Sequence, residues 1–279
     1  MSRRPTFLIS MLCFGFAFLY VPILSMIMFS FNNARLVTVW GGFSVKWHEK
    51  LFHNAQVLRA LTLSLEIAVI SANVATSLGT MAGIALARFR SFRGRTLFSG
   101  LVTAPLIMPE VITGISSLMF FILMADYIGW PAQRGFTTVT LAHITFSMTF
   151  VTTIVQSRLA QAYVAIEEAA MDLGSRPWQV MWDITLPIIS PAILSGWLLA
   201  FTISLDDVVI TSFTTGPGTT TLPILIWSKV KLGVTPDINA LATLMVGTVG
   251  LGVVIAGLVL QRAENRRNRD RQLAYRANQ

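Results

Sequence analysis

The chain has 279 residues, of which 54% are hydrophobic and 12% are charged, and its formal net charge is +8. A soluble globular domain carries about 25% charged residues, so the composition excludes an ordinary soluble protein and indicates a membrane protein. The positive charge does not favour nucleic-acid binding, because the Arg residues stand in short clusters between long apolar runs, as membrane orientation signals do.

Six apolar runs are long enough to cross a bilayer, which takes about 20 residues in a helix. Each run predicts a helix, because a lipid-exposed strand cannot satisfy its backbone hydrogen bonds. The predicted spans are 7–31, 61–87, 97–125, 137–158, 188–213 and 240–261. The first run exceeds the apolar region of a signal peptide, about 7–15 residues, so we expect it to be retained. The sequence therefore predicts an all-α, polytopic membrane protein with six transmembrane helices.

The spans divide the chain into three predicted regions. Residues 1–60 hold the first span and an external connection, in which Trp40 and Trp47 are expected at the membrane surface. Residues 61–261 hold a core of five spans, and residues 262–279 form a basic tail. Within the core, the apolar stretch 222–227 is too short to span and predicts a re-entrant or interfacial segment.

The distribution of Lys and Arg predicts the orientation. With the N-terminus in the cytoplasm, the cytoplasmic side carries 14 of the 21 Lys and Arg residues and the external side carries 7. The densest loop is RFRSFRGR at 88–95. The positive-inside rule therefore predicts that both termini are cytoplasmic, with the basic tail close to anionic headgroups.

A polar segment, EEAAMDLGSRPWQVMWDITLP at 167–187, separates the fourth and fifth spans. Strong helix formers precede Gly174, and glycine is the usual residue of a left-handed helix cap. Ser175 and Pro177 can begin a second short helix, and Pro187 is expected to end it with a sharp change of direction. Small Ala side chains beside carboxylates favour a docking element in this predicted coupling segment, 162–187. The alternative is a helix that rests on the membrane, which its acidic face disfavours next to a negative leaflet.

Four acids lie inside predicted spans, whereas no Lys or Arg lies deep in any span. They are Glu66, Glu110, Asp206 and Asp207. A charge at the bilayer centre costs about 2.5–3.5 kcal/mol on insertion scales, so acids without basic partners indicate a watery path or a visiting cation. Local polar contacts among the helices are the alternative. We interpret Glu110, Asp206 and Asp207 as candidates for a substrate pathway.

Prolines and helix geometry refine this interpretation. Pro105 and Pro109 can break the third span beside Glu110. Asp206 and Asp207 point about 100° apart on a helix, so one of them can bond within the bundle. His143, the single histidine in a predicted span, is expected to be a packing partner that forms hydrogen bonds. No metal site is predicted.

The polar segment resembles the EAA loop of ABC importer permeases. The pattern is E-A-A, three residues, G, nine residues and I-x-L-P, and the sequence meets it at Glu168, Ala169, Ala170, Gly174, Ile184, Leu186 and Pro187. The resemblance implies a coupling helix that sits in a cleft of a cytosolic ATPase. Glu168 would supply the polar contact, Ala169 and Ala170 the close approach, and Gly174 the turn.

Other stretches are similar to the polyamine branch of the same family. They are WGGFSVKW (40–47), PLIMPEVITGIS (105–116), SLDDVVITSFTTGPG (204–218) and TLPILIWSKVKLGVTPDINALAT (221–243). The resemblance implies a MetI-like type I ABC importer permease fold in a bacterial inner membrane, importing putrescine or spermidine from periplasm to cytoplasm. It also implies three protein partners: a cytosolic ABC ATPase dimer, a second homologous permease and a periplasmic polyamine-binding protein. We expect no catalysis and no cofactor in this chain, with ATP and Mg on the ATPase, because the sequence lacks G-x-x-x-x-G-K-[ST].

Two other function classes remain as alternatives. A self-sufficient secondary transporter or channel for organic cations would explain the intramembrane acids. It would not explain the segment 167–187, and the sequence shows no pair of interrupted spans at matching positions in two halves. An intramembrane enzyme is disfavoured, because no Ser/His or metal-ligand constellation has suitable spacing.

Overall fold

The structure is a computed structural model that describes residues 6–34, 39–89, 91–161, 164–233, 235–248, 250, 251 and 261. The helices are α1 (Thr6–Ser30), α2 (Lys46–Phe52), α3 (Ala55–Arg88), α4 (Arg95–Ile107), α5 (Glu110–Ile128), α6 (Phe136–Gln161), α7 (Val164–Asp172), α8 (Pro177–Val180), α9 (Leu186–Asp206), α10 (Val209–Thr214), α11 (Leu222–Leu232) and α12 (residues 236–248). A π-helical turn, Met181–Thr185, joins α8 to α9. The predicted all-α class is therefore confirmed.

Five helical stretches of the described chain are long and apolar enough to cross a bilayer. They are Phe7–Ser30, Ala55–Arg88, Glu110–Ile128, Phe136–Ala160 and Pro177–Asp206. They correspond to the first five predicted spans. Most of the sixth predicted span, 240–261, lies outside the described residues, of which α12 covers the beginning.

Two predicted spans are interrupted: the break in the third was expected from its prolines, whereas the break in the fifth was not predicted. The run 97–125 consists of α4 and α5, separated at Met108 and Pro109, which both have extended backbone angles. Proline disfavours the helical region for the residue before it, which explains this break. The run 188–213 is interrupted at Asp207, whose ψ of 128° is also extended, and α10 follows. No proline causes this second break.

The chain forms two compact units, and the first comprises Met1–Ala55 with Lys229–Gln279. The connection between α1 and α2 is organised around Asn32, whose side chain donates to Val39 O at 2.6 Å and accepts from Gly41 N at 2.7 Å. Trp47 donates from Nε1 to Asn32 O at 2.8 Å and is only 8% exposed. Trp40 is exposed, whereas Trp47, which was also expected at the membrane surface, is a core residue of this connection.

The second unit, Gln56–Ser228, holds the packed helices that position the candidate site. Its main core joins α3, α6 and α9 through Ala72, Ala75, Val151, Val155, Leu159, Ile189 and Ala200. Glycine permits this close approach, because a Cβ on Gly79 would lie 2.7 Å from Val151 Cβ. A smaller cluster of Phe121, Ala142, Phe146 and Ile210 joins α5, α6 and α10.

Candidate functional site

The segment between α6 and α9 forms a helix, a tight turn and a second helix. Gly174 has φ +91°, so it ends α7 in the left-handed conformation predicted for it. The Gly174 N–H donates to Met171 O at 2.9 Å, and the Ser175 N–H donates to Ala170 O at 3.0 Å. These two bonds form a Schellman cap, which satisfies the last carbonyls of α7. The turn therefore follows from glycine at this one position.

The second helix begins at Pro177, with Gln179 Oε1 accepting the Arg176 N–H at 2.8 Å. The predicted end at Pro187 is wrong, because the helix continues through Leu186 in ordinary helical geometry to Asp206. A proline ring clashes with the carbonyl four residues earlier and provides no N–H. The π-helical turn just before Pro187 widens the helix at this position, which accommodates the ring while the chain stays helical.

Adjacent glutamates of α7 face different surroundings. Glu167 turns inward and accepts two hydrogen bonds at Oε1, from Arg88 Nη2 at 2.7 Å and from Thr185 Oγ1 at 2.9 Å. Glu168 is exposed. Successive helical residues point about 100° apart, so a single helix face cannot include both. The sequence interpretation treated Arg88 only as an orientation signal and missed this pair, since the partners are 79 positions apart.

The outward surface of this segment combines charge with apolar side chains. Of the residues in the EAA-type pattern, Glu168, Ala169, Gly174 and Pro187 are exposed, while Ala170, Ile184 and Leu186 are half-buried. Leu173 beside the cap is 89% exposed, and Trp178 is 60% exposed. A surface with exposed apolar side chains and a free carboxylate beside a tight turn has the properties of an interaction site.

The second part of the site is the break between α9 and α10. Asp207 accepts the N–H groups of Ile210 at 3.2 Å and Thr211 at 2.7 Å, so its carboxylate caps the first turn of α10. Its side chain is 7% exposed. Asp206, by contrast, is exposed on the surface of the chain. The two adjacent aspartates thus separate into one internal and one external group.

His143 of α6 anchors this break. Its Nε2 lies 3.3 Å from Asp207 Oδ2 and 3.0 Å from Thr211 Oγ1, while its Nδ1 lies 2.7 Å from Ser204 Oγ. Ser71 of α3 extends the network, with its hydroxyl 2.9 Å from that of Ser204. His143 is therefore the hydrogen-bonding packing partner that the sequence predicted. No feature of the sequence distinguishes the hydroxyl residues of this network, Ser71, Ser204 and Thr211, from other polar residues of the helices.

The two helix breaks lie at the same end of one helix pair. A Cβ on Gly114 of α5 would lie 2.7 Å from Phe213 and 3.4 Å from Ile210 Cα in α10. Phe121 lies further along α5, and it lines one cavity with Pro217, which follows the end of α10, so α5 and α10 run in the same direction. Glu110 and Asp206 each precede the Gly114–Ile210 contact by four residues.

The outward acids of this region have no basic partner among the described residues. Glu110, Asp206 and Glu66 are all exposed on the surface of the chain, and none forms an ion pair within its described part. Apolar helices with unpaired acids on their outer surface require water, another chain or a cation to solvate those carboxylates.

The family of binding-protein-dependent transport system inner membrane components matches residues 79–270. The chain belongs to this family. The match begins within α3 and includes both parts of the site described above. It therefore identifies the polar segment and the helix breaks as parts of an inner membrane transport component.

Curated relatives in this family cover nearly the whole chain. The putrescine transport system permease protein PotI of Escherichia coli (strain K12) is 52% identical over 273 residues, which are 98% of this chain and 97% of that protein. The spermidine/putrescine transport system permease protein PotC of the same strain is 41% identical over 253 residues, 91% of this chain and 93% of that protein.

Solved structures show the same fold at low sequence identity. A chain of a bacterial ABC transporter involved in the import of the acidic polysaccharide alginate superposes with a TM-score of 0.72 at 18% identity, covering 92% of this chain and 94% of that chain. The MetNI methionine ABC transporter gives a TM-score of 0.56 at 18% identity, covering 74% of this chain and 95% of that chain. The predicted MetI-like permease fold is confirmed.

Proposed function

We propose that this chain is the permease subunit of an ATP-driven importer that moves polyamines, putrescine or spermidine, from the periplasm into the cytoplasm. The observation that carries the proposal is 52% identity to a putrescine permease over 98% of the chain. The unpaired outward acids support it, because a linear diamine or triamine carries ammonium groups that separate carboxylates can solvate in turn.

ATP hydrolysis belongs to a separate partner in this proposal. The sequence contains no phosphate-binding G-x-x-x-x-G-K-[ST] loop, so this chain provides no catalysis and binds no cofactor itself. A cytosolic ABC ATPase dimer carries ATP and Mg, a second homologous permease completes the pathway, and a periplasmic polyamine-binding protein delivers the substrate. Both termini are cytoplasmic, since the Arg-rich loop at 88–95 and the basic tail then lie on that side.

The segment around α7 and α8 is the proposed ATPase contact. Glu168 provides an exposed carboxylate, Ala169 leaves room for a close approach, and Gly174 shapes the turn. Rigid-body movement of this segment with the ATPase would open the membrane pathway to alternate sides. Glu168→Lys is expected to reduce co-purification of the ATPase with the permease. Asp126→Asn is the control, since Asp126 is an exposed acid near the C-terminal end of α5, outside the segment around α7 and α8.

Glu110 and Asp206 are the proposed pathway residues, and the structure favours a supporting role for Asp207, which caps α10. Glu110→Gln and Asp206→Asn, made separately, are each expected to raise the KM for polyamine uptake or reduce its maximal rate. Asp126→Asn is again the control. Wild-type uptake by both variants at wild-type membrane levels would contradict the pathway assignment.

The deciding experiment for the function is uptake of labelled putrescine and spermidine by the complex reconstituted in vesicles. We expect uptake that requires ATP and the binding protein, and competition between the two polyamines will rank them. Uptake by the purified chain alone, without ATP, would instead establish a self-sufficient cation transporter.

A further inference from the structure

One carboxylate ties α7 to two helices of the membrane bundle. Glu167 Oε1 accepts hydrogen bonds from Arg88 Nη2 and Thr185 Oγ1 at 2.7 and 2.9 Å. Arg88 is the last residue of α3, and Thr185 is the last residue of the π-helical turn that continues into α9. A single atom therefore connects α7 to the cytoplasmic ends of both α3 and α9.

The environment of this contact makes it stronger than a surface ion pair. The side chains of Arg88 and Glu167 are 19% and 14% exposed, and Thr185 is buried. Salt and water screen such a pair less than an exposed one, and hydrogen bonds to a charged acceptor are stronger than neutral ones.

The short helix α7 depends on contacts of this kind for its orientation. It has nine residues, and an isolated helix of that length is marginal in water. By contrast, α3 and α9 are long and pack with α6 in the main core of the unit. A displacement of α7 therefore acts on two core helices at the point where Glu167 meets them.

We infer that Glu167 is a positioning residue that transmits movement of α7 to α3 and α9 together, as distinct from its neighbour Glu168, which faces outward. The inference rests on the proposed ATPase contact at α7. It assigns the two adjacent glutamates different tasks: Glu168 contacts the partner, and Glu167 carries the partner's displacement into the membrane helices through Arg88 and Thr185.

The test measures uptake and ATP hydrolysis in the same reconstituted complex of permeases, ATPase and binding protein. For Glu167→Gln we expect ATPase co-purification and ATP hydrolysis at wild-type levels, with polyamine uptake per ATP lower by about tenfold, within the usual range of coupling between sites. Asp126→Asn is the control, because Asp126 is an exposed acid of α5 that lies outside the coupling segment, and we expect it to keep the wild-type ratio.

Charge reversal separates transmission from a merely structural role. Arg88→Glu alone should lower uptake per ATP as Glu167→Gln does, and the double variant Arg88→Glu with Glu167→Arg should recover most of the loss. Thr185→Val keeps the ion pair and should produce a smaller loss. These outcomes together support the inference.

Three outcomes would overturn it: a wild-type uptake-to-ATP ratio in Glu167→Gln, loss of ATPase co-purification in that variant, or no recovery in the double variant. Failure of the proposed function appears elsewhere, because the wild-type complex would then show no ATP-dependent uptake at all.

Discussion

Two pairs of adjacent acids, Glu167–Glu168 and Asp206–Asp207, occur in different parts of the molecule and separate in the same way. In each pair one carboxylate is satisfied by the chain itself and the other is exposed. Glu167 bonds to Arg88 and Thr185, and Asp207 bonds to the His143 network and the first turn of α10.

The means of separation differ between the pairs. Glu167 and Glu168 lie on one continuous helix, so its rotation of about 100° per residue divides them. Asp206 ends α9, and the extended backbone at Asp207 divides that pair. The partners differ as well. Glu167 pairs with the guanidinium of Arg88 at the end of α3. Asp207 lies within a predicted span, where an additional Lys or Arg would be costly, and its partners are backbone N–H groups, a hydroxyl and an imidazole.

The largest expected effect is on stability at the second pair. Asp207→Ala removes the cap of α10 and leaves His143 without its carboxylate partner, so we expect a loss of about 3 kcal/mol in the free energy of unfolding. Asp206→Ala should change it by less than about 0.5 kcal/mol, as exposed substitutions usually do. Chemical denaturation in detergent micelles measures both, and equal losses would show that the two aspartates are not divided as described.

The same comparison at the first pair should give a smaller difference. Glu167→Ala removes two hydrogen bonds to a charged acceptor, and we expect it to destabilise the protein by about 1–3 kcal/mol. Glu168→Ala should have little effect on unfolding. Should Glu168→Ala destabilise the protein as much as Glu167→Ala in the same denaturation assay, the inward and outward assignment would be reversed or absent.

The turn after the first pair offers a smaller and purely local effect. In Gly174→Ala the added Cβ would meet no neighbouring atom, but the residue would keep φ +91°. This backbone conformation costs an L residue about 1–2 kcal/mol. Gly100→Ala is the matched control, since its Cβ also meets nothing and Gly100 lies inside α4. We expect the control to stabilise by about 0.5–1 kcal/mol. The same sign in both variants would contradict the backbone argument.

The smallest effect concerns a more exposed ion pair, Lys229 with Asp237, at 2.8 Å and with 24% and 23% side-chain exposure. Burial raises the pKa of Asp237, but hydrogen bonds and the charge of Lys229 outweigh it, so the net pKa lies below 3.8. Its contribution is therefore present above pH 3.8 and is lost as the pH falls through the lower native pKa. We expect the ion pair to contribute less than about 1 kcal/mol to the free energy of unfolding. The free energies of unfolding of wild type and Asp237→Asn, compared between pH 7 and pH 3, measure this contribution. If the difference between the two proteins grew as the pH fell, the predicted direction of the pH dependence would be wrong.

The site was partly predictable from local sequence. Gly174 ends α7 and Pro109 begins a break because glycine and proline act through their own backbone geometry. The helix end predicted at Pro187 was wrong, because a π-helical turn just before it makes room for the proline ring. The break at Asp207 has no proline: the carboxylate there accepts backbone N–H groups of α10 and also contacts His143 of α6, a contact that local sequence does not reveal.

By itself, the sequence determined the apolar helices, the clusters of Arg between apolar runs and the residue pattern of the predicted coupling segment, because these depend on composition and on spacing along one chain. The tertiary structure alone decided which acid of each pair turns inward. For Glu167 and Glu168 that choice depends on how α7 is rotated against its neighbours, with a partner as distant in sequence as Arg88. For Asp206 and Asp207 it depends on the extended backbone at Asp207 and on the contact of that carboxylate with His143 of α6.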